Sequence, residues 1–341
     1  MSPASANTTS AKEAIRALAL KIRPRLARVI IFLNGKGGAG KTTLTSNSAV
    51  NIARALAESG STKRVLTVDL DLQGNLGLDL GYKGHDEDDA GQSIVNIVMG
   101  AGKLRIIRDV RPQMDCVPGG RMLRYVSPIM ATSRQTDFGR EPRLALAEAI
   151  AEIAEQYEWI VVDCPPGQPE LQDIAAVLAR YLVIPVSFDE GSLEGMTDVA
   201  DILTQARELN PDITPLGVVL FRFDRNNLRN IKQDGEVIGS KEVGLLARTR
   251  TEVAEKLAEA GISLPIFNSV VTEAKTVATL CRKWGRAMAE LADAAAQDDW
   301  RAAARQHGVA VTAESAETSA AEQEAITREI LTRALELEHA A

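Results

Sequence analysis

The sequence predicts an α/β fold: a mostly parallel twisted sheet flanked by helices, with a short helical N-terminal extension and a C-terminal helix. Three observations predict it. Arg28-Val-Ile-Ile-Phe-Leu33 is an apolar run of strand length, followed by the glycine-rich stretch Asn34-Gly-Lys-Gly-Gly-Ala-Gly-Lys-Thr-Thr43 and then by helical spacing of apolar residues from Leu44 to Ala57. Strand-like and helix-like segments alternate from Arg28 onward, which calls for parallel strands joined by crossover helices. Aspartates close two of the apolar runs, at Asp69 and Asp163.

Taken in order, Met1 to Ser10 is small and polar and reads as disordered. Ala11 to Arg25 has the spacing of a short helix, with Ile15, Leu18, Ala19 and Ile22 on one side, and Pro24 ends it. It carries Lys12, Arg16, Lys21, Arg23 and Arg25 against the single acid Glu13. Two readings stay open for it: a solvated leader, or a helix that contacts DNA or a second copy of the chain. Arg64-Val-Leu-Thr-Val-Asp69 is the second strand, His85 to Asp89 an acidic loop and Met114 to Val117 a short strand. Arg124 to Arg140 has no clear period and reads as irregular, and Leu144 to Tyr157 reads as a helix. Trp159 to Asp163, Tyr181 to Pro185 and Leu216 to Phe221 are further strands, with a helix from Leu193 to Leu209 between the last two. Helices are expected from Val243 to Ala260 and from Ala274 to Ala296. Val311 to Ala341 is rich in Ala and Glu, lacks Gly and Pro, and aligns Ile326, Ile330, Ala334 and Leu337 on one helical face. That face serves either to pack back on the domain or to bind a second copy or a partner. The expected division is residues 1–27 as the extension, 28–298 as the main domain, and 299–341 as linker and helix.

Bulk properties exclude several classes. The chain has 341 residues, a net charge of −7 and a pI near 5.3, so any nucleic-acid surface must be local. Three separated cysteines, Cys116, Cys164 and Cys281, make neither a disulfide framework nor a paired-cysteine metal signature, and a reducing cytoplasm fits them. No apolar run approaches the ~20 residues of a membrane span, and the N-terminus lacks a secretory core.

The glycine-rich stretch carries the first chemistry. Between a strand and a helix, such a loop folds tightly around phosphate oxygens, presenting N–H groups and a helix N-terminus to negative charge. Gly35 to Thr43 (Gly35, Lys36, Gly37, Gly38, Ala39, Gly40, Lys41, Thr42 and Thr43) form the expected cradle, the mark of a P-loop nucleotide-binding fold. Lys41 is placed to reach the β and γ phosphates, and the Thr42 hydroxyl to hold Mg²⁺. Lys36 is one lysine more than such a loop needs.

In an open parallel sheet, ligands sit beyond the carboxyl ends of the strands. Asp69, Asp71 and Asp163 lie at such ends. Four hydrophobic residues followed by Asp163 have the form of a magnesium-side acid. Mg²⁺ keeps several waters, so Asp163 is expected to act through one of them. Asp69 and Asp71 are candidates to orient an attacking water.

Three blocks in order make the chain resemble the ParA family of deviant P-loop ATPases, within the ParA/MinD group: Lys36-Gly-Gly-Ala-Gly-Lys-Thr-Thr43, Val65-Leu-Thr-Val-Asp-Leu-Asp-Leu-Gln-Gly-Asn75 and Trp159-Ile-Val-Val-Asp-Cys-Pro-Pro166. Weaker likeness runs through Val117-Pro-Gly-Gly120 and Asn210 to Gly217. The resemblance implies a slow, Mg²⁺-dependent ATPase. Lys36 matches the signature lysine that crosses a sandwich homodimer to the neighbour's phosphates. Asp71 matches the acid that supports hydrolysis, and Asp69 the other acid of that block, near the water and the metal. The chain departs from the family at Leu72, where proline is usual, and at Gly167-Gln168, where serine is common.

The resemblance also implies partners: non-specific double-stranded DNA bound by the ATP dimer, with possible higher-order assembly on it, and a ParB-like centromere-bound protein that stimulates hydrolysis. The chain would then be a cytoplasmic, nucleoid-associated plasmid- or chromosome-partition ATPase. Candidate phosphate contacts are Arg222, Arg225, Arg229, Lys232, Arg248, Arg250, Lys275, Arg282, Lys283 and Arg286. A Pro-Arg element of the family is replaced by Thr272-Glu273. Alternatives are a ParA-like positioner of protein cargo and a MinD-like membrane-cycling ATPase. The second is disfavoured by an acidic last segment without aromatics, and no membrane partner is expected. An iron–sulfur reductase would need cluster cysteines, whereas Cys164 and Cys116 stand on or beside core strands.

Overall fold

A computed structural model describes residues 3–133, 141–187, 190–233, 236–259, 261–297 and 311–340. In chain order the elements are α1 (Pro3–Ile22), β1 (Val29–Phe32), α2 (Lys41–Glu58), β2 (Arg64–Asp69), α3 (Asn75–Asp79), α4 (Gln92–Val98), β3 (Ile107–Arg111) and β4 (Met114–Val117). They continue with α5 (Val126–Ser133), α6 (Pro142–Ile153), β5 (Tyr157–Asp163), α7 (Pro169–Leu178), β6 (Tyr181–Val186), α8 (Glu190–Ala206) and β7 (Thr214–Phe223). The last are β8 (Leu228–Gln233), β9 (Glu236–Glu242), α9 (Gly244–Glu259), β10 (Ile266–Thr272), α10 (Lys275–Trp284), α11 (Met288–Ala295) and α12 (Ala313–Ala340).

Eight strands form one sheet in the order β10-β7-β6-β1-β5-β2-β4-β3, and β8 and β9 form a separate two-stranded ribbon. Every pairing in the large sheet is parallel except β3 with β4. The expected parallel α/β fold is thus what the chain adopts. β1 is buried at all four positions because helices cover both faces of the sheet. One apolar layer is built around Leu33, Val68, Val162, Ile174 and Ile184, the other around Phe32, Leu44, Val161, Val183 and Phe221.

Several sequence expectations are corrected. Residues 3–10 continue α1 rather than being disordered. Its far end is docked: Ala19, Ile22 and Leu26 are buried, and Arg23 donates to the Val177 carbonyl at 2.7 Å. Burial lowers the Arg23 pKa to about 10, with the Asp212 carboxylate opposing the shift. Part of the segment read as irregular forms a 3-10 turn at Arg121–Tyr125 and then α5, while residues 134–140 lie outside the described residues. The helix expected from 274 to 296 is two helices, because Gly285 takes a left-handed conformation (φ 59°) as the C-cap of α10. The β8–β9 ribbon was not foreseen.

The C-terminal helix packs back on the domain. Ile326, Ile330 and Ala334 of α12 are buried in the second apolar layer. Its carboxylates also close the free edge of β10. Glu329 accepts from the Asn268 and Ser269 N–H groups at 2.7 and 2.8 Å, where a bulge turns both outward. Glu322 accepts from the Thr272 N–H at 2.8 Å. Seven helical residues rise ~10.5 Å and three strand residues ~10 Å, so the two carboxylates keep step with the strand. Among the described residues no helix is long and apolar enough to cross a membrane.

Candidate functional site

β1 delivers the chain to the carboxyl edge of the sheet, and the glycine loop turns there into α2. Gly38 and Gly40 take φ values of +82° and +94°, conformations that cost little only without a Cβ. A Cβ on Gly40 would stand 2.3 Å from the Phe221 ring of β7, so this glycine is needed for space as well.

Lys41 opens α2 and is only 5% exposed. Its ammonium donates to the Asn34 and Lys36 carbonyls at 3.0 and 2.7 Å. Burial lowers its pKa, and Asp163 opposes that shift. Asn34, fully buried, donates from Nδ2 to the Pro185 carbonyl at 2.8 Å and accepts the Lys36 N–H on Oδ1 at 2.9 Å. It ties the start of the loop to β6, a role not singled out from sequence, although an amide side chain just before the first glycine was the available signal. Lys36 itself is half-exposed, as are Thr42 and Thr43. Gly195 and Asp198 of α8 pack on Asn34 and Gly35, close enough that a Cβ on either glycine would collide.

The acids converge as expected. Strand register sets Asp163 beside Phe32 of β1 and beside Asp69 of β2. Asp163 and Asp69 are wholly buried. Neither Asp163 oxygen has a hydrogen-bond acceptor–donor partner within bonding geometry among the described residues, nor does Oδ2 of Asp69. Burial pushes the Asp163 carboxyl up to about 8, with the nearby Thr42 hydroxyl and Lys41 opposing the rise and Asp71 adding to it. Burial and the neighbouring Asp163 hold Asp69 well above the usual carboxylate range. Asp69 Oδ1 accepts the Asp71 N–H at 2.8 Å, and Asp71 Oδ1 accepts the Gln73 N–H at 2.9 Å. These two local bonds hold the turn after β2 in shape.

The basic residues do not form one patch. Arg222, in a left-handed conformation (φ 66°), donates to the Gly38 carbonyl at 3.2 Å and pairs with Glu273 at 3.1 Å. Lys275 meets the same Glu273 at 3.3 Å, so these two cations belong to the edge of the loop. Arg250 turns inward to Glu242 and to the Phe267 carbonyl, the latter at 2.9 Å. Arg282 reaches Asp79 at 2.8 Å, and Arg286 stacks on Trp284 at 5.6 Å. Arg225, Arg229, Arg248 and Lys283 are exposed, and the Lys232 side chain lies outside the described residues.

A parallel sheet with a glycine loop after its central strand, a buried lysine where that loop enters its helix, and buried acids at the ends of the adjacent strand β5 and of β2 beyond it define a P-loop nucleotide-binding protein. The family described as AAA domain matches residues 27–214, more than half of the chain. The chromosome partitioning protein ParA of Myxococcus xanthus is 31% identical over 208 residues, covering 58% of this chain and 66% of that protein, just under two thirds of its length. The sporulation initiation inhibitor protein Soj of Bacillus subtilis is 32% identical over 207 residues, covering 60% of this chain and 76% of Soj. Among solved structures, Cyanothece McdA superposes with a TM-score of 0.60 at 16% identity, over 86% of this chain and 98% of McdA, which supports the fold; a second structure is of an McdA variant in complex with ATP. This chain belongs to the ParA/MinD-type family of P-loop ATPases.

Proposed function

We propose that this protein is an ATP-operated partition ATPase whose nucleotide-bound homodimer binds double-stranded DNA without sequence preference. The observation that carries the reading is the pair of lysines in one loop. Lys41 is buried and directed into the loop's own carbonyls, whereas Lys36 stands half-exposed on its rim.

Both ligands of such a site fit the residues present. The loop N–H groups and Lys41 would hold the phosphates of ATP, with Lys41 exchanging its two carbonyls for phosphate oxygens. Thr42 and, through water, Asp163 would hold Mg²⁺, with Asp69 beside them; the unpartnered oxygens of Asp163 and Asp69 are what a cation would satisfy. When bound, Mg²⁺ offsets charge on the phosphates. Asp71 and Asp69 orient the attacking water, and the short bonds to the Asp71 and Gln73 N–H groups fix where they point. Lys36 crosses to the phosphates of a second copy, so dimerisation depends on ATP because that cation is better placed against phosphate than against water.

DNA phosphates would meet the exposed cations, Arg225, Arg229, Arg248, Lys283 and Arg286 with Lys275, rather than Arg250 and Arg282, whose guanidiniums serve internal ion pairs. A ParB-like partner that stimulates hydrolysis completes the cycle, in line with the partition role in the name of the Myxococcus relative. The reading is tested by duplex-DNA binding with ADP and with ATP plus Mg²⁺ at low salt. Binding that appears only with ATP supports it, and binding that stays absent with ATP excludes it.

A further inference from the structure

The β8–β9 ribbon lies beyond residue 214, where the family match ends, and stands apart from the main sheet. Its base is fixed. Leu228 packs against the first apolar layer, and Glu242, its cross-strand partner, pairs with Arg250 at 2.5 Å. Because side chains alternate along a strand, the opposite face presents Arg229 and Ile231 from β8 with Lys241 from β9. Arg229 and Lys241 are direct cross-strand partners, both exposed, and neither forms an ion pair among the described residues. Like charges set directly opposite destabilise a ribbon, and an isolated two-stranded ribbon is only marginally stable to begin with. Ile231 is 45% exposed and faces Gly239, which offers it no side chain to pack on. An unrelieved cationic pair beside an uncovered apolar side chain is costly in water. It suits a surface that supplies anions close together with an apolar floor between them. Duplex DNA has that chemistry: phosphates flank a groove that admits a two-stranded ribbon, and apolar side chains contact base edges or steps within it.

We infer that the β8–β9 ribbon is a DNA-contacting arm, in which Arg229 and Lys241 engage duplex phosphates and Ile231 enters the groove. This deepens the DNA-binding reading above and rests on it. The ribbon starts five residues after the end of β7, where Arg222 holds the Gly38 carbonyl, so the arm leaves the domain from the nucleotide end of the sheet.

The test is a salt titration of binding to a short mixed-sequence duplex, with ATP and Mg²⁺, for the wild type, Arg229→Ala/Lys241→Ala, Arg229→Lys/Lys241→Arg and Ile231→Ser. For each arm of the dimer that engages the duplex, the alanine pair is expected to bind between about tenfold and about a hundredfold more weakly near 0.1 M salt, with a log–log salt slope shallower by about two. The charge-keeping pair is expected to retain the wild-type slope. Ile231→Ser is expected to weaken binding severalfold without changing the slope. If the wild type binds DNA with ATP and the alanine pair matches it in affinity and slope, the arm is wrong while the DNA reading stands. An unchanged affinity for Ile231→Ser overturns the groove contact. If the wild type itself fails to bind, the DNA reading falls and the arm with it.

Discussion

The ammonium of Lys41 donates to the main-chain carbonyl of Lys36 at 2.7 Å. The two lysines of the loop are therefore linked through the backbone, with one side chain turned in and the other left on the rim. A ligand that draws Lys41 away from that carbonyl frees the peptide that carries Lys36. Under the proposed function, nucleotide binding would thereby be coupled to the position of Lys36 within five residues of chain.

Replacing Lys41 by alanine removes a buried cation and the charge-assisted bonds it would make to phosphate, each worth about 1.5–3 kcal/mol. The expected outcome is a loss of ATP affinity of at least about a hundredfold, read by titration of a fluorescent ATP analogue, with the fold retained by circular dichroism. An affinity within about threefold of the wild type would show that the loop holds phosphate without this lysine.

The acids give a pH signature. In the nucleotide-free protein Asp163 titrates up at about 8, against an ordinary value of 3.8, and Asp69 is raised with it. The folded state then keeps protons that the unfolded chain has released. The stability contribution of Asp163 is full below the ordinary carboxylate range, declines as pH rises through the window, and levels off above about 8. Thermal unfolding without nucleotide should show this decline toward alkaline pH, and Asp163→Asn should flatten it. Stability that rises across the same window would contradict the burial of this carboxyl pair.

Much of this site was legible in the sequence because its signals are local. The glycine spacing from Gly35 to Gly40 and the apolar runs ending at Asp69 and Asp163 each sit within a single strand–turn unit. Most of what was not legible depends on contacts between separate elements. Arg250 and Arg282 look like free cations until Glu242 and Asp79 are seen beside them. The left-handed Arg222 and the Asn34 clasp on Pro185 likewise arise from tertiary neighbours, whereas the β8–β9 ribbon pairs strands adjacent in sequence and is a local feature that went unread. The break at Gly285 in the helix expected from Ala274 to Ala296 is also tertiary, since Gly81 packs so closely that a Cβ on Gly285 would lie 2.4 Å from the Gly81 Cα.

Gly40→Ala tests the loop's backbone. The left-handed conformation costs about 1–2 kcal/mol for an alanine, and the clash with Phe221 adds about 1–3 kcal/mol. A lowered melting temperature is expected, with Phe221→Ala in the same chain recovering none of the conformational part. A Gly40→Ala protein as stable as the wild type would mean that the loop adopts a different course.

The C-terminal helix is structural. Ile330→Ala should destabilise the protein by about 2–5 kcal/mol in chemical denaturation, since Ile330 is 2% exposed in the core. Glu322→Ala with Glu329→Ala should leave the β10 N–H groups without acceptors, and light scattering should then rise with protein concentration as free edges pair. A double variant that stays monodisperse would show that the edge is covered by something other than these carboxylates.

The most direct test of the two-lysine switch is the sedimentation of wild type, Lys36→Ala and Lys41→Ala with ADP and with ATP plus Mg²⁺, alongside nucleotide binding for each. The expected result is a wild type that is dimeric only with ATP, a Lys36→Ala protein that still binds ATP but stays monomeric, and a Lys41→Ala protein that does neither. A Lys36→Ala protein that dimerises with ATP as the wild type does would contradict the assignment of the rim lysine to the neighbouring subunit.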